Sequence, residues 1–178
     1  NTATESGGAI YAVTSGTVSI ESGANFETNS AKNGGAVYIN DGCTLSMSGT
    51  VNFDGNTATE NGGAICVNGT GMLTDKDATL TFTNNRAAAA STQLSTTKND
   101  SAPSGSTGFG GAICFNNSST SAVSELGTAA FDGNKAYFGG AVANIGTGTV
   151  NFSKTASFGA STLNTAYSGG ALYISSGT

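Results

Sequence analysis

The sequence predicts an all-β right-handed parallel β-helix, a solenoid of about six coils with three short strands per coil. Three observations carry this: a Gly-Gly-Ala-aliphatic quartet that recurs six times, a Phe-x-x-Asn marker in phase with it, and alternating apolar residues between the two. The quartets are Gly7-Gly8-Ala9-Ile10, Gly34-Gly35-Ala36-Val37, Gly62-Gly63-Ala64-Ile65, Gly110-Gly111-Ala112-Ile113, Gly139-Gly140-Ala141-Val142 and Gly169-Gly170-Ala171-Leu172, at spacings of 27, 28, 48, 29 and 30 residues. The second marker occurs as Phe26 with Asn29, Phe53 with Asn56, Phe82 with Asn85 and Phe131 with Asn134.

Each repeat supplies strand patterns of period two, in which alternate side chains face opposite sides of a sheet. The quartet strand would point Ile10 and Ala12, Val37 and Ile39, Ile65 and Val67, Ile113 and Phe115, Val142 and Asn144, and Leu172 and Ile174 inward, with Ala64 and Cys66 representing the opposite face. A second strand holds Val18 and Ile20, Leu45 and Met47, and Val150 and Phe152. A third ends at the Phe marker, with Ala24 and Phe26, Val51 and Phe53, Leu80 and Phe82, Ala129 and Phe131, and more loosely Ala156 and Phe158 facing in. No segment carries a 3.6-residue period of adequate length, so helices are not expected. Strands about 4.8 Å apart would make six coils a rod roughly 25 to 30 Å long, and right-handedness follows from the general preference of parallel crossovers.

The 48-residue spacing carries about 20 extra residues, rich in Ser and Thr, with Asn99, Lys98, Asp100 and Pro103 among them. They are expected to leave the coil as an inserted loop at 88–108, with residues 1–178 otherwise one β-helix segment. The chain starts just before one quartet and stops just after another. Solenoids ordinarily close with atypical capping repeats, so a longer parent protein is expected.

Composition narrows the function. Gly makes up 27 of 178 residues and charged residues 10 %, against about 25 % in an average protein, with Ser, Thr and Asn supplying the polar surface. A net charge of -5, with one Arg and five Lys, offers no basic stripe for phosphates, so no nucleic-acid partner is expected. Apolar runs are far shorter than the ~20 residues of a membrane-spanning helix. Three Cys and no His do not form a zinc pattern, and neither a metal nor a cofactor is expected.

The quartet glycines allow positive φ and close approach of coils, and the following Ala keeps the outer face narrow. A phosphate cradle would need a helix and a Lys after the glycines, and neither follows. The marker Phe supplies core area, while the Asn suits a turn or a ladder of hydrogen bonds with its counterparts. Buried residues of this kind would hold a presenting surface in shape.

Catalysis by a β-helix would need carboxylates on adjacent rungs. Asp54 and Asp132 share one slot two coils apart with Thr83 between, and Asp75 and Asp77 lack further oxygen ligands for calcium, so no catalytic residue is assigned. Cys66 and Cys114 fall in one outward slot of successive quartet strands and are either bridged or two free small hydrophobes. Thr17 with Ser19, Thr44 with Ser46 and Thr149 with Asn151 form a partial outer Thr face that lapses in the third and fourth repeats.

Phe53-Asp54-Gly55-Asn56 leading to Gly62-Gly63-Ala64-Ile65, and Phe131-Asp132-Gly133-Asn134 leading to Gly139-Gly140-Ala141-Val142, resemble the passenger region of chlamydial polymorphic membrane proteins. The resemblance covers essentially the whole chain. It implies an autotransporter with an export signal, a β-helical passenger and a C-terminal outer-membrane barrel. The passenger would act as an adhesin toward a host cell-surface protein receptor, at the bacterial surface or released from it, with membrane attachment only through the barrel and with oligomerisation left open. A carbohydrate-active β-helix enzyme and a passive spacer are the alternative readings. Phe158-Gly159-Ala160-Ser161 departs by lacking the motif Asn, and Asn144 departs by occupying an inward slot.

Overall fold

The computed structural model describes residues 1–75, 77–88 and 107–178. Every element in them is a strand, and every strand pair is parallel, each strand bonded to its counterpart one repeat away. No helix of these residues is long and apolar enough to cross a membrane. The result is a β-solenoid of about five turns, with four sheets where the sequence suggested three.

The quartet sheet is made of Ile10–Ala12, Val37–Ile39, Ile65–Gly69, Ile113–Asn117, Val142–Asn144 and Leu172–Ile174. The second comprises Gly16–Ile20, Cys43–Met47, Met72–Asp75, Val123–Leu126 and Thr149–Phe152, and the third Ala24–Glu27, Thr50–Asp54, Thr79–Thr83, Thr128–Asp132 and Ala156–Phe158. The unexpected fourth contains Ser30–Asn33, Thr57–Asn61, Arg86–Ala87, Lys135–Phe138 and Thr165–Ser168. Ala31, Ala58, Ala87 and Ala136 form a buried column in it, apart from the central apolar cluster. A column of alanines among polar residues has too little apolar contrast to read as a strand, although it is buried.

The second sheet also gains two strands that the sequence reading left out. Leu73 and Leu126 are fully buried in them, beside the polar Asp75 and Ser124. Asp75 Oδ1 accepts a bond from Ala78 N (2.7 Å) and Oδ2 one from Gly127 N (2.8 Å), which ties the turn to the next rung. A charge in an inward slot breaks the apolar alternation but is satisfied by backbone donors.

The core lies between the sheets and contains Val37, Ile39, Ile65, Val67, Leu45, Met47, Phe53, Phe82 and Phe131. Ala36, Ala64, Ala112 and Ala141 belong to it as well, which corrects their assignment to the outer face. The chain bends at these alanines: Ala64 O accepts both Ala36 N and Val37 N at 2.9 Å, so two successive residues turn inward. Leu172, Ile174 and Phe158, expected inside, are exposed because no further rung covers theirs.

The two quartet glycines serve different needs. The first is left-handed throughout, as at Gly34 (φ 60°) and Gly110 (φ 66°), which turns the corner into the strand. The second is required by close approach. A Cβ on Gly35 would lie 2.1 Å from Gly63 O, and one on Gly63 would lie 2.0 Å from Gly111 O.

The expected loop at 88–108 lies outside the described residues over 89–106. Both flanks return to one rung: Ala88 N donates to Ala58 O (3.0 Å), Gly108 N to Glu60 O (2.7 Å), and Gly62 N to Phe109 O (2.8 Å). The described flanks therefore keep the register of the rungs on either side.

Candidate interaction surface

Two columns, buried in their middle rungs, hold the outer surface in register. Phe26, Phe53, Phe82, Phe131 and Phe158 stack with centroids 4.8, 4.9, 4.9 and 5.0 Å apart and interplanar angles of 9° or less. This repeats the strand spacing, so each ring meets the next face to face.

The Asn column follows it around the corner. Asn29, Asn56, Asn85 and Asn134 each donate from backbone N and from Nδ2 to the Oδ1 of the next member, at 2.8 to 3.0 Å. The second Nδ2 hydrogen goes back to the marker Phe carbonyl of the preceding rung, as in Asn85 to Phe53 O (2.9 Å). Both amide hydrogens and the oxygen of an interior Asn are thus engaged, which is why a buried polar residue is tolerated there.

Asn164 completes the column, accepting from Asn134 and donating to Phe131 O at 2.7 Å. The last repeat therefore does possess its ladder Asn, contrary to the sequence reading. It lies six residues after Phe158 because the turn is three residues longer, with Gly159 left-handed and Leu163 pushed into solvent. Asn1 begins the same column, donating from Nδ2 to Asn29 Oδ1 at 2.8 Å.

Further ladders lie on the outside. Asn68 Nδ2 donates to Asn40 Oδ1 (3.0 Å) and Asn116 Nδ2 to Asn68 Oδ1 (2.8 Å). Asn52 Nδ2 donates to Asn25 Oδ1 (2.8 Å), and Thr81 Oγ1 bonds Asn52 Oδ1. Lys32 sits between Glu5 (3.7 Å) and Glu60 (3.6 Å). The signal for the first ladder was present, since Ile39-Asn40, Val67-Asn68 and Phe115-Asn116 end the same strand in three repeats.

The outer row of the quartet sheet runs Tyr11, Tyr38, Cys66, Cys114, Ala143 and Tyr173. Tyr11 and Tyr38 stack at 5.6 Å, with Tyr11 largely exposed. At the other end, Phe109 and Phe138 stack at 4.9 Å and approach Tyr173 at 5.9 and 5.0 Å. Tyr173 reaches the ring of Phe109 two rungs away and so leans across Ala143. Cys66 and Cys114 are buried free thiols although they face outward, so the sheet carries a second apolar layer on its outside. Phe109 and Phe138, which stand before Gly-Gly where Asn33 and Asn61 stand elsewhere, went unremarked in the sequence for want of a repeat.

Glu27 and Asp54 are register partners on adjacent rungs and both exposed, but Asp54 and Asp132 do not meet. Asp54 pairs with Thr83 and Thr83 with Asp132, so a whole rung separates the two acids. Asp132 Oδ1 accepts Ser161 N (2.9 Å), a turn role. Asp77 is fully exposed and paired with Lys154, whose hydrogen bond and charge lower its pKa. Asn144 occupies its inward slot, donating to Gly148 O (3.1 Å) and Thr178 O (3.2 Å).

No curated protein and no solved structure matches the chain. The family model of the Chlamydia polymorphic membrane protein repeat matches residues 1–13 and 50–68, stretches that contain the first quartet and the Phe53 to Ile65 pair of markers. The matched stretches are thus similar to the chlamydial polymorphic membrane protein repeat, and the same markers recur in register along the rest of the stack.

Proposed function

We propose that this chain is a segment of an autotransporter passenger that binds a host cell-surface protein receptor and promotes attachment. The observation that carries the reading is the outer face of cross-linked side chains, Asn40 with Asn68 and Asn116 beside the Tyr11 and Tyr38 stack. Side chains tied rung to rung lose little freedom on contact, so a polar surface of this kind binds without the usual ordering cost. The quartet and marker residues are interior, and their contribution is to keep that face flat and in register. The family supports display at the outer-membrane surface, with a C-terminal barrel as the anchor.

The test is attachment of the purified, labelled chain to cultured epithelial cells, read by flow cytometry. Replacing Tyr11, Asn40, Asn68 and Asn116 with Ala should reduce binding at least tenfold while far-UV circular dichroism stays unchanged. Unchanged binding would refute this face as the contact. Absence of saturable binding by the unaltered chain would favour a spacer.

A further inference from the structure

Cys66 and Cys114 are direct register partners on adjacent parallel strands, Ile65–Gly69 and Ile113–Asn117. Their Cα atoms are therefore about 4.8 Å apart, inside the 4.4 to 6.8 Å range of disulfides, and side chains on such partners leave the same face. Both thiols are free and buried, and Cys114 hydrogen-bonds Cys66. That bond first, and burial second, push the Cys114 thiol well above its ordinary pKa. The two thiols are held in contact.

Their position along the stack is particular. Every other step between quartets spans 27 to 30 residues, whereas the chain from Cys66 to Cys114 spans 48. Loop-closure entropy opposes this step more than any other, and a covalent link across it would remove the largest share. Cys43 offers an internal contrast. It is buried in the second sheet, paired in register with Gly16, and has no thiol opposite.

We propose that Cys66 and Cys114 form a thiol–disulfide site that closes to a cross-rung disulfide by exchange with a small-molecule disulfide, locking together the turns on either side of the insertion. One protein thiolate attacks a sulfur of the small disulfide, forming a mixed disulfide and releasing one small thiol. The second protein thiolate then attacks the protein sulfur of that mixed disulfide and releases the other. Two electrons pass to the small disulfide, and the two protein protons end on its thiols. Because both sulfurs are buried, the first attack waits on local opening of the outer layer, and closure is slow.

The test exposes the reduced, folded chain to glutathione disulfide, blocks remaining thiols, and digests it with trypsin plus a glutamyl endopeptidase. Cleavage at Lys32, Glu60, Lys76, Lys98 and Glu125 places Cys43, Cys66 and Cys114 on separate peptides. Mass spectrometry should find the 61–76 peptide joined to the 99–125 peptide, with Cys43 alkylated. The oxidised chain should melt about 5 °C or more above the reduced one, reversibly with dithiothreitol. Cys114→Ala should lose both the joined peptide and the shift, and Cys43→Ala should keep both. The proposal is overturned if the folded chain yields only unbridged thiols or mixed disulfides. It is equally overturned if the bridge forms only in urea, or if Cys43 joins as often as its two rivals.

Discussion

Asn85 Oδ1 accepts two hydrogen bonds from one residue of the preceding rung, Asn56, from its backbone N at 3.0 Å and its Nδ2 at 2.9 Å. The same carboxamide then repeats the grip on Asn134. A side chain that is donor and acceptor at once can be copied along an axis without limit, and neither Ala nor Asp can do this.

Removing Asn85 should be costly. Asn85→Ala strips partners from Asn56 N, Asn56 Nδ2 and Phe53 O in a buried site, which at about 1 to 3 kcal/mol per orphaned group implies a loss of at least 3 kcal/mol. Asn164→Ala, in a part-buried site, should cost about 1 kcal/mol. Urea midpoints of the two variants should differ accordingly, and equal midpoints would contradict the ladder's role.

The phenylalanine column should show the same gradient. Phe82→Ala, between two stacked rings at 0 % exposure, should cost about 3 to 5 kcal/mol. Phe158→Ala, at 36 % exposure, should cost less than half as much by the same denaturation assay.

Glycines with similar local sequence should diverge. Gly35→Ala puts a methyl 2.1 Å from the backbone of the next coil and should cost more than about 3 kcal/mol, since neither backbone can withdraw without breaking its ladder. Gly23→Ala meets open space and carries only the strain of φ 88°, roughly 1 to 2 kcal/mol. Thermal melts of the two variants check this.

Tyr38 should titrate late. Its pKa is pushed up to about 12, first by burial and then by Cys66, Tyr11 and Asp41, against a lowering hydrogen bond with Asn68. The folded chain then keeps a proton that the unfolded chain loses near pH 10. The stability from neutral Tyr38 is complete below about pH 10 and is lost as pH rises from about 10 to about 12. Phenolate absorbance should show one late tyrosine that Tyr38→Phe removes, and partial exposure keeps the accompanying stability change small.

Spacing and chemical type in the sequence were sufficient for the repeat, the parallel stacking and the stacked Phe and Asn columns, because those features depend on what recurs. Leu73 and Leu126 were missed because their alternation is broken by Asp75 and Ser124. Asn164 was missed because a longer turn moved it out of its expected position.

What the sequence by itself determined is the solenoid, since a residue recurring every 27 to 30 positions can bury itself only against its own copies. What only the tertiary structure decided is everything that depends on a neighbour of a different kind. The alanine column became a fourth sheet, the outward cysteines became buried, and Phe109, Phe138 and Tyr173 met on an outer face. Burial of a side chain is set by what stands beside it after the coil closes, and that neighbour lies on another rung or around a corner, where no local pattern records it.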